Sequence, residues 1–282
     1  MNLSFVYQNL NIISFRLQNY EFNFKNQQII CKIAIYHKIM AQNKAVKATA
    51  DRPNIIFILA DDLGYGDLSC YGSKTIKTPN IDKLAATGTR FNQSYAGSGI
   101  SSPSRCALMT GKNTGNSRIR DNMCPEGDTT IVRRTSLQPQ DTTIATVLHA
   151  AGYKTCLVNK WHLDGYDPKS SPIYRGFDEF HGWLISTVES NSPYYYPYNR
   201  FDNDKLIHIK ANEHDKHIKH NTDISTDDAI NFIKRNKKNP FFLYLAFDAP
   251  HEPYIIDNTT WYDDESWIMN DICLRTSTAC IS

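Results

Sequence analysis

Four short stretches of the chain carry side chains whose types and spacing suit chemistry. Asp61 and Asp62 are adjacent carboxylates at the end of an apolar run. Two such groups at the polar rim of an apolar core repel one another and need full solvation or a cation, their hard oxygens suit Ca²⁺ or Mg²⁺, and replacing either is expected to leave the fold largely intact. A solvated turn through Gly64 and Gly66 is the alternative reading. In Gly99-Ile-Ser-Ser-Pro-Ser-Arg105, the spacing predicts a helix with Ser102 as N-cap, Pro103 in the first turn and Gly111 as the stop. Ser101 then lies just outside the helix N-terminus, where free N–H groups and the positive dipole end favour a tetrahedral oxyanion. Arg105, one turn on, adds fixed charge. A serine-rich cap without chemistry fits the same residues. Lys160 and His162 flank Trp161, and alternation along an extended chain points both toward one site. His251 follows Asp248-Ala-Pro, a place where a lone histidine is commonly structural.

The elements that must hold these groups are legible as punctuated apolar runs. Residues 54–60, 153–159 and 241–247 read as buried strands of a parallel sheet, each ending at one of the chemical stretches. Helices are expected over 79–86, over 141–152 with Asp141 as cap, and over 225–237. In open α/β sheets, ligands bind beyond the carboxyl ends of the strands, so the groups converge if the strands are neighbours. Gly64-Tyr-Gly66 is not a dinucleotide loop, because Ser69 occupies the third glycine position. Ser101 is not in a G-x-S-x-G elbow, because Pro103 stands at the final glycine.

Taken together, residues 52–64, Ser101-Ser-Pro-Ser-Arg105, Lys160-Trp-His162 and Ala249-Pro-His-Glu-Pro253 resemble the opening strand, the C/S-x-P-x-R signature, the G-K-W-H element and a further segment of the sulfatase family. That family belongs to the alkaline phosphatase superfamily. The resemblance covers residues 51–256, with Asn159 in place of the usual Gly and Ser101 where many members have Cys. It implies an α/β, alkaline phosphatase-like fold with a mostly parallel sheet flanked by helices, and an arylsulfatase-like sulfuric ester hydrolase.

The resemblance also implies roles. Ser101 would be oxidised by a radical-SAM maturase to formylglycine, whose hydrate attacks sulfur and expels the alcohol. Collapse of the hemiacetal then releases sulfate. Ca²⁺ would bind Asp61, Asp62 and the residue at 101. Arg105 would steady the hydrate, Lys160 and His251 would bind the sulfate, His162 and His251 would move protons, and Ser186 aligns loosely as a further polar contact. The substrate would be a sulfated small molecule or glycan. A phosphonate or phosphate monoester hydrolase of the same superfamily is the rival enzyme, since tetrahedral oxyanions look alike to a metal and an arginine.

Composition narrows the field from the other side. The 31 Lys and Arg nearly balance 29 Asp and Glu, which gives no basic footprint for nucleic acid. No stretch reaches the roughly 18–20 apolar residues of a membrane span. The seven cysteines are odd in number and lack a C-x-x-C, so buried thiols are expected. His214, His217 and His220 recur at every third position but interleave with lysines, as a solvated loop does. Tyr194, Tyr195, Tyr196 and Tyr198 suit either ring stacking or packing. Residues 1–50 read as a poorly structured extension or degraded signal and 257–282 as an irregular tail, which leaves a periplasmic or secreted location as the expectation. Family members continue with a further Asp-Asn or Asp-His pair before Gly, a lysine and a C-terminal subdomain. Asp257-Asn258 is followed by Thr259, so a catalytically impaired, truncated fragment stands beside the enzyme as an expectation.

Overall fold

The apolar runs form the middle of a seven-stranded sheet whose strands lie side by side in the order 2–7, 55–60, 241–246, 154–160, 179–183, 199–202 and 205–208. The computed structural model describes residues 2–7, 52–125, 132–133, 135–165, 167–184 and 193–253. The central strands are β2 (Ile55–Ala60), β9 (Phe241–Ala246), β5 (Lys154–Lys160) and β6 (Glu179–Trp183), all parallel. β7 (Asn199–Asp202) and β8 (Lys205–His208) continue the sheet antiparallel. At the other edge, β1 (Asn2–Tyr7) pairs parallel with β2. The sequence reading assigns no element to residues 1–50, so this strand is an addition. Two short strands, β3 (Cys124–Pro125) and β4 (Val132–Arg133), form a separate ribbon.

Alternate residues of the central strands feed two cores. On one face Phe57, Leu59, Leu157, Phe242 and Tyr244 pack with Cys106 and Met109 of helix α2 (Ser101–Thr110) and Ala145 and Leu148 of α3 (Ile144–Ala150). On the other face Ile56, Cys156, Val158, Leu243 and Leu245 pack under Ala229 and Phe232 of α4 (Asn221–Asn236). Double coverage explains why β9 is buried at every residue and why its sequence is an unbroken apolar run. Helix α1 (Pro79–Thr87) has Pro at its start and Gly88 after its end, as punctuation predicts. Among the described residues no helix is long and apolar enough to cross a membrane. Cys106 and Cys156 are buried free thiols, and Cys70 is partly buried.

Helix starts depart from the sequence reading: at α2 a distant partner takes the expected cap's place, and at α3 and α4 a neighbouring residue caps instead. Asp141 does not cap α3; it accepts from Gln138 N (2.8 Å) and pairs with Arg118 (2.5 Å), while Thr143 Oγ1 accepts from Thr146 N (3.1 Å). α2 begins at Ser101, so Ser101 lies in the first turn and not outside it. Ser102 is not the N-cap: its backbone N–H donates to Asn122 Oδ1 (2.8 Å) and its hydroxyl donates to the His162 carbonyl (3.0 Å). α4 starts at Asn221, four residues early, with His220 Nδ1 accepting from Thr222 N (3.2 Å).

The carboxyl end of β5 shows how closely the strands are fitted. Asn159 has φ of 77°, in the left-handed region, and swings its backbone over Gly182 of β6. A Cβ on Gly182 would lie 2.1 Å from the Asn159 carbonyl oxygen. Neither strand can retreat without breaking its ladder, so Gly182→Ala is expected to cost more than about 2 kcal/mol. Gly66→Ala, with nothing within 4 Å, should stay within about 0.5 kcal/mol. Paired urea unfolding curves check the contrast, and equal midpoints would contradict it.

Candidate active site

β2, β9 and β5 are sheet neighbours, so their carboxyl ends bring Asp61, Asp248, His251, Lys160 and His162 to one edge. α2 adds Ser101 and Arg105 from above. Two further hydrogen bonds fix this edge: Phe247 N donates to Leu59 O (2.9 Å) and Asp61 N to Ala249 O (3.2 Å). Asp62 and His162 both adopt left-handed φ, 60° and 61°, which turns the chain sharply as each strand ends.

Asp61 is the hub. Its carboxylate is fully buried, pairs through Oδ1 with Arg105 Nη2 at 3.3 Å, and accepts through Oδ2 from the Lys160 ammonium. Burial works to raise its pKa, but Lys160 and Arg105 outweigh burial and hold it down to about 2. Burial lowers the pKa of Lys160, with Asp61 opposing that shift. Arg105 also donates through Nε to Ser101 Oγ (3.2 Å) and through Nη1 to the Lys160 carbonyl (3.2 Å). Ser101 Oγ shares a second hydrogen bond with His162 Nδ1 at 2.9 Å. A hydroxyl at a helix N-terminus thus lies between a guanidinium and an imidazole, which suits a nucleophile and an anion together.

His251 pairs through Nε2 with Asp62 at 3.4 Å, and its ring stacks on Tyr194 with centroids 5.6 Å apart. Tyr194 accepts from Lys160 Nζ at 3.0 Å. The tyrosine run therefore splits: Tyr194 faces the site, while Tyr195 and Tyr196 stack on His220 (5.1 Å) and His217 (4.2 Å). Those histidines serve packing and capping, and the group at 214, 217 and 220 is not among the ligand clusters of the described residues. Cys156, Glu179 and His181 do lie within 4.8 Å of one another. Arg235 on Glu179 (2.5 Å) and Asp202 on His181 (3.1 Å) make that cluster a closed charge network. Ser186 lies outside the described residues.

Two findings depart from the sequence reading. From sequence, Asp61 is expected at a polar rim, replaceable without harm to the fold; it is buried between two cations, whereas Asp62 is 50% exposed. Asp248, given no role from sequence, is 2% exposed and accepts from Trp183, Asn159 and Asn221. A carboxylate closing a buried strand is the signal that could have found it, the same one that singles out Asp61.

The residues fit a hard cation at Asp61 and Asp62. Asp61 Oδ1 is buried without a hydrogen-bond partner and retains acceptor capacity, and Asp62 supplies a second, more exposed carboxylate. Energetically the buried ions dominate, because removing one partner strands the others. Asp61→Asn should cost about 3–5 kcal/mol near neutral pH, and Asp62→Asn under about 0.5. The native Asp61 has its folded pKa below its unfolded one, so its contribution is full above about pH 4 and is lost as pH falls toward 2. Urea titrations at pH 7, 4 and 3 should therefore show the curves of the native chain and of Asp61→Asn drawing together with acid. A gap independent of pH would refute this assignment.

The Sulfatase family model matches residues 53–266. The chain is 34% identical over 234 residues to the N-acetylgalactosamine-6-sulfatase of Sus scrofa, which covers 76% of the chain and 43% of that protein. It is 34% identical over 210 residues to the N-acetylglucosamine-6-O-sulfatase of Bacteroides thetaiotaomicron, covering 74% and 32%. Among solved structures, Ps i-CgsB in complex with k-i-k-neocarrahexaose aligns with a TM-score of 0.61 and 31% identity over 82% of this chain and 52% of that one. The chain thus spans about two fifths or less of these curated relatives. Its mostly parallel sheet, its helix-borne Ser101-x-Pro-x-Arg105 and the match over most of its length place it in one group: the chain belongs to the sulfatase family.

Proposed function

We propose that this chain carries the catalytic centre of a sulfuric ester hydrolase acting on a sulfated sugar or aryl ester. The observation that carries the reading is Ser101 Oγ at the start of α2, held by Arg105 Nε (3.2 Å) and His162 Nδ1 (2.9 Å). The sugar class is carried over from relatives whose names specify 6-sulfated amino sugars. In the net reaction water is consumed, the bond from sulfur to the alcohol oxygen breaks, a new sulfur–oxygen bond forms, and alcohol and sulfate leave.

When present, a formylglycine made from Ser101 by a radical-SAM maturase would supply a hydrated aldehyde as nucleophile, and Ca²⁺ on Asp61, Asp62 and residue 101 would polarise a sulfate oxygen. The chain's own side chains do the rest. His162 Nδ1 takes the proton from the oxygen at position 101, to which it is already hydrogen-bonded. Arg105 fixes that oxygen and offsets its growing negative charge without reorganising, since the guanidinium is fully buried and tied to Asp61 and the Lys160 carbonyl. Lys160 contributes the second fixed cation for the sulfate. His251, held by Asp62 and stacked on Tyr194, gives a proton to the departing alkoxide.

Two measurements test this. After co-expression with an active serine-type maturase, the tryptic peptide Phe91–Arg105 should be lighter by about 2 Da, from oxidation of one alcohol to an aldehyde. The matured chain with millimolar Ca²⁺ should hydrolyse an aryl sulfate faster than an aryl phosphate. Ser101→Ala should abolish turnover, and His162→Ala should lower kcat by about 10²–10⁴. An unmodified peptide, or aryl sulfate turnover no greater than that of Ser101→Ala, would overturn the reading. A preference for phosphate would favour the phosphomonoesterase alternative.

A further inference from the structure

We propose that Asp248 is a positioning residue whose carboxylate ties β5, β6 and α4 together and thereby sets where Lys160 and His162 stand. Three N–H donors converge on it: Trp183 Nε1 (3.0 and 3.2 Å to its two oxygens), Asn159 Nδ2 (2.8 Å) and Asn221 Nδ2 (2.6 Å). Asn221 Nδ2 also reaches Asn159 Oδ1 at 3.0 Å, which closes the network. Every partner offers a donor, so the network is built for an ionised acceptor; an amide side chain at 248 would set its own NH₂ against one of them.

Two of the partners, Asn159 and Trp183, lead directly to the site. Asn159 precedes Lys160, and its left-handed φ aims the strand's end. Asn159 stands where the resembling family element has Gly, which has no side chain to reach Asp248. Trp183 lies beneath both active groups, its ring 5.4 Å from Lys160 Nζ and 6.1 Å from the His162 ring. On its own segment, Asp248 accepts from His251 N at 2.8 Å through its carbonyl.

The charged and titratable groups facing Asp248 are Lys160 and Arg105, which favour its ionised form, and Asp61 and Tyr194, which do not. Burial is the largest influence and raises its pKa to about 6, against Lys160 and the Asn159 hydrogen bond. Protonation in mild acid would set an O–H on one oxygen against the converging N–H donors, weaken the network, and loosen the end of β5.

The inference deepens the sulfatase reading and relies on it only for the activity readout. The Trp183 indole N–H resonance, assigned with Trp183→Phe, reports the network directly. In the native chain it should titrate with an inflection near pH 6. The inflection should vanish in Asp248→Asn and move to higher pH in Asn159→Gly, because losing a donor disfavours the ionised carboxyl. In the matured enzyme Asp248→Asn should lower kcat per folded molecule by about tenfold or more while KM changes by less than about twofold. Asn159→Gly should act in the same direction, and the double variant should be no worse than Asp248→Asn alone. If Asp248→Asn does not fold, Asn159→Gly carries the same comparisons. If the native chain turns over no aryl sulfate, the sulfatase reading falls, and positioning is judged by the indole resonance alone, through its loss of titration in Asp248→Asn and its upward shift in Asn159→Gly. An indole resonance that does not titrate, additive kinetic effects, or unchanged kcat in both variants would overturn the proposal.

Discussion

The burial of Asp61 between Arg105 and Lys160 is the interaction on which the rest of the molecule depends. The three side chains come from β2, α2 and β5, elements far apart in sequence, and are almost wholly removed from water. Desolvating charges costs several kcal/mol apiece, so such a triad persists only where geometry lets each ion recover that cost. Here the guanidinium reaches Asp61, Ser101 and a strand carbonyl at once, and the ammonium reaches Asp61 and Tyr194. The triad therefore docks α2 onto the sheet and fixes its N-terminus. Both cations are fixed in a dry setting, where a tetrahedral anion gains most from charge that need not reorganise.

The backbone bends to meet this requirement. Asp62, Asn159 and His162 take left-handed conformations that ordinary strands avoid, and all three lie where β2 and β5 run into the site. Asn and Asp tolerate that region better than most side chains, while a histidine held there needs its surroundings to insist. They do: the His162 carbonyl accepts from Ser102, and its ring shares a hydrogen bond with Ser101. The glycine at 182 is the counterpart of Asn159, since no side chain fits under that turn.

What was legible in the sequence follows from what is local. Unbroken apolar runs mark β2 and β9 to within a residue or so, because double coverage leaves little room for polar side chains in them, while β5 is marked only by its short Cys-Leu-Val centre between Thr155 and Asn159. The carboxylates, lysine and histidines at their ends were visible for the same reason: polarity returns abruptly. The caps of α2 and α3 are not legible locally, because Asn122 and Arg118 lie far along the chain and engage Ser102 and Asp141 in other bonds. Asp61 looked like a rim residue because its cations are invisible from its own neighbourhood. Asp248 carries only a weak signal of its own, since a single acid before Ala-Pro resembles a turn and its donors come from residues 159, 183 and 221.

The choice of arginine at position 105 shows how far geometry, and not charge alone, specifies this site. The guanidinium spreads its bonds in one plane: Nε to Ser101, Nη1 to the Lys160 carbonyl and, at 3.4 Å, to the Tyr244 hydroxyl, Nη2 toward Asp61. A lysine would carry the same charge on a single point and would have to abandon at least one of these directions. Asp61 or Ser101 would then lose its orienting donor, and the buried triad would lose either its neutralisation or its hold on the reacting oxygen. A planar fork joins the ion pair that stabilises the fold to the hydroxyl on which the chemistry turns, so stability and function at this site rest on the same five-donor group.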